Sequence, residues 1–398
     1  MLKVLVYLLL LSPEMSVKTG YWLTGGFHYS AYMNKVAFLA VSDYIIIFLL
    51  VLTLFAGNKK SSSLMTLKIG FLKLFIPLIT LQLFLGSLYN LVYDFYPKPL
   101  LYDMKWVLYL LAGATLPYLL KPGSILLSVK HIFACLFLSS LLDILYVQFL
   151  DCCHELPSAL GLPPLMETIP TFALLLGGGL LSPITHLLLL TMQLIHIVNI
   201  LALNQIYLVL VAVGIIVLTK LRVYKSLVFL YFNVCFLIVP IAIILLSDFL
   251  LLYKPDGVAT RVVQISNLEE NLRNKGFGLI GMGYGSTYRE YKRTPSKDIY
   301  AVGTSISRDQ EASMEAPVKF IFNTPAAGAI YKYGLFGLLM LAAAMKRLYA
   351  NYDLKGWRLS LLYLFYLVML FPGFLKLTFV TAFMISCWDR HLKTRKLV

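Results

Sequence analysis

Val36-Ala-Phe-Leu-Ala-Val-Ser-Asp43-Tyr-Ile-Ile-Ile-Phe-Leu-Leu-Val-Leu-Thr-Leu-Phe-Ala-Gly57 decides the fold class of this chain. The run carries one charged residue, Asp43. A helix needs about 20 mostly apolar residues to cross a bilayer core of roughly 30 Å, and this stretch meets that length. Phe71–Tyr89, Ser124–Leu150, Ser226–Leu252 and Gly328–Met345 meet it too. Across 398 residues, 60% are apolar and 13% charged, whereas soluble domains carry about 45–50% and about 25%. The mean hydropathy is +0.81. Apolar surplus on this scale needs lipid as its solvent. The expected fold is all-α: a polytopic transmembrane helical bundle of about 12 spans with one large extracytoplasmic loop.

Outward from that run, the expected spans cover 2–12, 36–57, 67–90, 105–120, 124–150, 168–181, 184–203, 205–219, 226–252, 327–345, 357–371 and 374–388. The first has Lys3 ahead of a short apolar run but no small-residue cleavage site, so it reads as a span and not a signal peptide. Basic clusters follow at Lys59-Lys60, Lys121, Lys220 to Lys225, Lys346 to Arg358, and in the tail from Arg390 to Lys396. An even number of spans separates each from the next, which puts all of them on the cytoplasmic side. The external segments are then 13–35, 91–104, 151–167 and 253–326. Three regions result: an N-terminal bundle over 1–252, the loop 253–326, and C-terminal helices with a basic tail over 327–398. The net charge of +15 is explained by these span ends and does not call for nucleic acid as a partner.

Of the five cysteines, Cys135, Cys235 and Cys387 lie in apolar segments and read as packing residues, while Cys152 and Cys153 are adjacent. No metal-ligand spacing is present, and neither a metal nor a cofactor is expected. Inside the spans, Lys73, Lys130, Asp143, Asp248 and Lys376 each need an account, since charge in lipid is costly. Lys73 and Asp143 either pair with each other or line a polar path. His186 and His196 are about three turns apart on one span, too far for a shared metal.

The loop 253–326 holds ten Lys and Arg against eight Asp and Glu. Apolar residues at 262, 265, 268 and 272 in Arg261–Arg273 have near-helical spacing, with Asp256 or Thr260 as cap and Lys275-Gly276 as the stop. This predicts a short amphipathic helix lying at the membrane surface. Arg261 would stand in its first turn, where the helix dipole disfavours a cation, so its presence hints at a separate use. Gly276-Phe-Gly-Leu-Ile-Gly281-Met-Gly283-Tyr-Gly285 follows. It contains a literal G-x-G-x-x-G, but no strand–turn–helix unit surrounds it, and the nucleotide reading fails. The array reads instead as backbone needing positive φ or close approach, or as bare N–H groups lining a polar ligand site. Ser286–Lys319 reads as a polar linker. Small residues in Phe320–Gly337 permit close helix packing where the chain re-enters the membrane. Elsewhere outside, His154 and Glu155 form either an acid/base pair or a plain polar loop.

Arg261 ahead of Gly281, Gly283 and Gly285, then Asn323, then Tyr333-Gly334 with Gly337, together with Asp43 in the second span, resemble the Wzy-type O-antigen polymerase and O-antigen ligase superfamily. Asn323 stands where many members, ligases especially, have His, which tilts the resemblance toward polymerases. Leu203-Asn204-Gln205 replaces a Ser-Arg often found there. The resemblance implies that units carried on a polyprenyl pyrophosphate are joined outside the bacterial cytoplasmic (inner) membrane: an acceptor hydroxyl attacks the anomeric carbon and polyprenyl pyrophosphate leaves. Its partners would be the lipid-linked oligosaccharide, membrane lipid and a chain-length regulator protein.

Such a site needs a cation against the leaving pyrophosphate, for which the arginine fork is suited. The resemblance nominates Arg261, with Arg273 and Arg289 as further candidates. It also needs a group that orients or deprotonates the acceptor. Asn323 can orient a hydroxyl but is no base at neutral pH; His154 and Glu155 are the external acid/base candidates. Gly281, Gly283 and Gly285 would line the substrate. The competing readings are a ligase, a lipid-linked oligosaccharide flippase and a non-catalytic scaffold. A flippase has no evident use for a long external loop with a glycine array.

Overall fold

The computed structural model describes residues 2–11, 41–57, 70–93, 97–119, 255–275, 278–289, 318–319, 325–350, 357–370 and 375–395, with Tyr291 and scattered positions between 131 and 246. These residues are mostly helical. Helices α1 (Leu2–Leu11), α2 (Val41–Gly57), α3 (Ile76–Val92) and α4 (Pro97–Thr115) precede α5 (Pro255–Lys275). Then come α6 (Pro325–Ala350), α7 (Trp357–Leu370) and α8 (Leu375–Arg395). Short 3-10 turns at Gly70–Leu74 and Leu116–Leu119 flank this core. Two short strands, β1 (Tyr288–Arg289) and β2 (Val318–Lys319), pair antiparallel with Tyr288 opposite Lys319.

Helices α1, α2, α3, α6, α7 and α8 fall on expected spans, and α7 and α8 part at the expected Phe371-Pro-Gly-Phe374 break. Three boundaries differ. Helix α4 begins at Pro97, eight residues before the expected span at 105, so 97–104 is helical. Pro97 and Pro99 sit in a first turn, where no intrahelical N–H is required. Asp103 and Lys105 make the segment look too polar for a span, yet both find buried partners. Helix α5 begins at Pro255, which places Asp256 and Thr260 inside it, not at a cap. Arg261 therefore lies beyond the first turn, and the dipole argument for it lapses, because that effect fades within one turn. Thirdly, Ser286, Thr287 and Tyr288 are not polar linker: all are buried. The spans expected between 124 and 252 fall almost wholly outside the described residues, as do Asp143, Asp248 and the side chains of Lys130 and Lys376. Lys73 is exposed.

The core lies where α4 packs along α8. Gly113 makes the approach possible: a Cβ there would collide with the carbonyl oxygen of Phe379 and press on Ala382. Ser386 Oγ donates to the carbonyl of Ala114 at 2.7 Å, tying the helices at depth. Phe71 and Phe75 pack edge-on against Phe365 with ring centroids 5.2 Å apart, joining the first turn to α7. Among the described residues, Ala326–Ala350 is the helix long and apolar enough to cross a membrane, by length and composition; Asp43–Thr53, Ile76–Val92 and Leu361–Leu370 are shorter apolar helices.

Candidate functional site

The glycine array forms the centre of the site. Gly281, Gly283 and Gly285 have φ of +81°, +77° and +80°, in the left-handed region that favours glycine. Helix α6 is interrupted at Gly334, whose φ is 58° and ψ −173°. That break alters the pairing of main-chain groups around it. The carbonyls of Tyr331 and Lys332 accept the N–H groups of Met282 and Gly283 at 2.9 and 3.0 Å, and Phe336 N–H reaches back to Leu279 O at 2.9 Å. On the other side, Tyr284 N–H donates to the carbonyl of Gln82 at 2.9 Å. Gly86 is where α3 meets the loop, since a Cβ there would overlap the carbonyl of Tyr284. The loop is thus threaded between two helices by main-chain bonds, with glycine on both sides of the contact.

Side chains then fix it. Gly285 N–H donates to Asp103 Oδ2 at 2.7 Å, and Lys332 Nζ lies 2.6 and 2.7 Å from the two oxygens of the same carboxylate. Asp103 and Lys332 are both buried. Tyr284 and Tyr333, fully buried, have their hydroxyls 2.9 Å apart. Tyr333 donates its single proton to the carbonyl of Met369, so Tyr284 is the donor to Tyr333. Burial, and then the neighbouring Tyr333, hold the Tyr284 phenol well above its ordinary range. A second pair, with a buried acid and a half-buried lysine, stands on α2 and α4: Asp43 takes Lys105 Nζ at 2.6 Å and Tyr109 OH at 3.0 Å.

Helix α5 docks on this frame by polar residues. Of its apolar positions 262, 265, 268 and 272, only Leu268 is buried; the other buried positions are Gln264, Asn267 and Asn271. Asn271 acts like a strand neighbour to Arg289, accepting its N–H at 2.9 Å and donating to its carbonyl at 2.7 Å. The helix ends at Lys275, as its Lys-Gly stop predicts, and that ammonium lies among tyrosines. Nζ donates to Tyr89 OH at 2.5 Å, Thr287 O at 3.1 Å and Tyr331 OH at 3.3 Å. It stands 4.8 Å from the Tyr89 ring centroid and 5.3 Å from that of Tyr93, within cation–π range. Tyr89 and Tyr331 also donate to Thr287 O, each at 2.6 Å. Burial pulls the Lys275 pKa down from 10.5 to about 8.

Of the sequence-nominated residues, Gly281, Gly283 and Gly285 come together as close-approach backbone. Two of their N–H groups are taken up within the protein: those of Gly283 and Gly285 are spent on Lys332 O and Asp103. Arg273 does not join them. It is 70% exposed and pairs with Glu269 at 2.8 Å on its own helix. Arg289 contributes its main chain to Asn271, while the residue is exposed. Arg261 is placed in α5 by its main chain; its side chain, with Asn323, His154 and Glu155, lies outside the described residues. Sequence reasoning missed Asp103, Lys332 and Lys275 as site residues. For Lys332 a signal existed, because a lysine in an apolar helix calls for an acid partner. Among the described residues, no group of His, Cys, Asp and Glu could hold a metal. Comparison of the chain with protein-family models, with curated proteins and with solved structures gives no match in any of the three.

Proposed function

We propose that this chain is a multi-span membrane glycosyltransferase that joins polyprenyl-pyrophosphate-linked oligosaccharide repeats into a surface polysaccharide. On this reading it resides in the bacterial cytoplasmic membrane, with 253–326 outside and a chain-length regulator as a further partner. The observation that carries the reading is the seating of the glycine array in the Gly334 break of α6. The array and Tyr333-Gly334 are two of the elements on which the superfamily resemblance rests, and here they are bonded to each other through Met282, Gly283 and Phe336. Helix interruptions at membrane depth are tolerated where other protein groups satisfy the freed carbonyls, which is what the loop does. Exposed Phe84, Leu91, Leu335, Phe336 and Leu339 on α3 and α6 are suited to lipid.

In the proposed reaction an acceptor hydroxyl forms a bond to the donor's anomeric carbon. The anomeric carbon–oxygen bond to the pyrophosphate breaks, and polyprenyl pyrophosphate leaves with the electron pair. The test is surface glycan from a host that lacks its own polymerase and supplies the correct repeat. Native protein should give a ladder of lengths. Arg261→Ala, at equal membrane abundance, should give single repeats. A ladder untouched by Arg261→Ala removes that residue from the proposal. No ladder from native protein removes the polymerase reading and favours transport.

A further inference from the structure

We propose that Lys275, with Tyr93 beside it and Tyr89 and Tyr331 beneath, forms a subsite for an acidic sugar: a pyranose bearing one carboxylate in the glycan substrate. The inference rests on the glycosyltransferase reading and adds to it a substrate class. Its starting point is a missing counter-charge. The other internal lysines of the frame each have an acid, Lys105 with Asp43 and Lys332 with Asp103. Lys275 has none among the described residues: its three donors go to two phenols and one main-chain carbonyl. A half-buried ammonium held only by neutral acceptors still lacks a compensating charge, and an incoming anion supplies it.

The walls indicate what carries that anion. Tyr89 and Tyr93 lie with ring centroids 4.8 Å apart, and Lys275 sits over both. Tyr89 and Tyr331 are buried and form the floor, whereas Lys275 and Tyr93 are partly exposed and Tyr291 is 42% exposed. Aromatic faces pack against the C–H face of a pyranose, and phenols hydrogen-bond its hydroxyls. The longest ammonium contact, 3.3 Å to Tyr331, is the one a carboxylate would replace.

A carboxylate fits better than a diphosphate. One ammonium matches one negative charge, and a diphosphate calls for several cations or a helix N-terminus. Lys275 instead closes the C-terminal end of α5, whose dipole is negative and opposes a multiply charged ligand.

The groups facing Lys275 are Tyr89 and Tyr93 of α3, Tyr331 of α6 and the Thr287 carbonyl, with Tyr291 near Tyr331. Among the described residues all are phenols or main chain, so their formal charge is that of Lys275. Affinity for an acid should fall as pH rises past about 8, where the ammonium is lost.

The test uses full-length protein in lipid nanodiscs and calorimetric titration with three soluble probes: a trisaccharide ending in glucuronate, its glucose-ended counterpart, and inorganic pyrophosphate. Native protein should prefer the glucuronate probe by about tenfold at pH 7, a preference worth about 1.4 kcal/mol, and lose that preference by pH 9. Lys275→Arg should keep it at both pH values, and Lys275→Met should lack it at both. Equal binding of the two sugars by native protein overturns the proposal, as does a preference that Lys275→Met retains. So does binding of pyrophosphate, but not glucuronate, that depends on Lys275. Should Lys275→Met fail to fold, the native and Lys275→Arg pH pair still decides. Because the titration needs no polymer, glucuronate preference without a glycan ladder dismisses the polymerase reading alone. A ladder without that preference dismisses the subsite alone.

Discussion

Lys332 Nζ lies 2.6 and 2.7 Å from the two carboxylate oxygens of Asp103, 229 positions earlier in the chain, and the same carboxylate takes Gly285 N–H at 2.7 Å. A loop and two helices therefore share one acid. Breaking one side of a buried pair leaves a lone charge and costs about 3–5 kcal/mol, whereas replacing both sides with apolar groups costs far less. Asp103→Asn should lower stability by that amount, and Asp103→Leu with Lys332→Met should recover much of it. Unfolding of the purified variants in detergent measures both; a double variant no better than the single would show that the two charges are not coupled.

The contact between Gly86 and Tyr284 admits no side chain. Gly86→Ala should displace the loop and cost about 1–3 kcal/mol, the range of overpacked interiors. Gly278→Ala is the control, since a Cβ there meets nothing within 4 Å. Hydrogen exchange at Met282–Tyr284 should rise sharply in the first variant and stay unchanged in the second.

Gln82 is fully buried, and its carboxamide makes no hydrogen bond among the described residues, although its carbonyl holds Tyr284. An unpaired buried amide costs about 1–3 kcal/mol. Gln82→Met should leave the melting temperature equal or higher. If the variant is stable yet the glycan ladder is lost, the carboxamide serves the substrate and not the fold.

Lys275 has a folded pKa near 8 against an ordinary 10.5. Between those values the unfolded chain keeps a proton that the folded chain has given up, so stability rises with pH across that window. The native unfolding midpoint should climb from pH 8 to pH 10 relative to Lys275→Met, and the two should run parallel below pH 7. A flat difference throughout would mean that Lys275 is fully solvated.

Helical runs such as Val41–Gly57 were legible because apolar length is a local property, and the positive φ of Gly281, Gly283 and Gly285 because glycine at close spacing has few other uses. The face of α5 was not legible. Its apolar spacing gives no sign of the polar stripe that is buried, in which Asn271 pairs with the main chain of Arg289. Of the pair Asp103 with Lys332, the lysine's need for an acid was legible, but not which acid, because Asp103 lies 229 positions earlier in a segment that looks like polar loop. The basic residues nominated for the pyrophosphate were picked by type and by resemblance. Neither can tell Arg273, which ties up its charge on Glu269, from Lys275, which has no acid partner among the described residues.

Thr287 gives this site an anchor that mutation at that position cannot reach. Its main-chain oxygen collects Tyr89, Tyr331 and Lys275, so any amino acid that keeps the backbone path would supply the same acceptor. The position is thus free to vary in name while fixed in role, and comparison of side chains between relatives would pass over it. Chemical synthesis can reach it instead: an ester in place of the amide between Thr287 and Tyr288 weakens that oxygen as an acceptor, removes the Tyr288 N–H with it, and leaves every side chain in place.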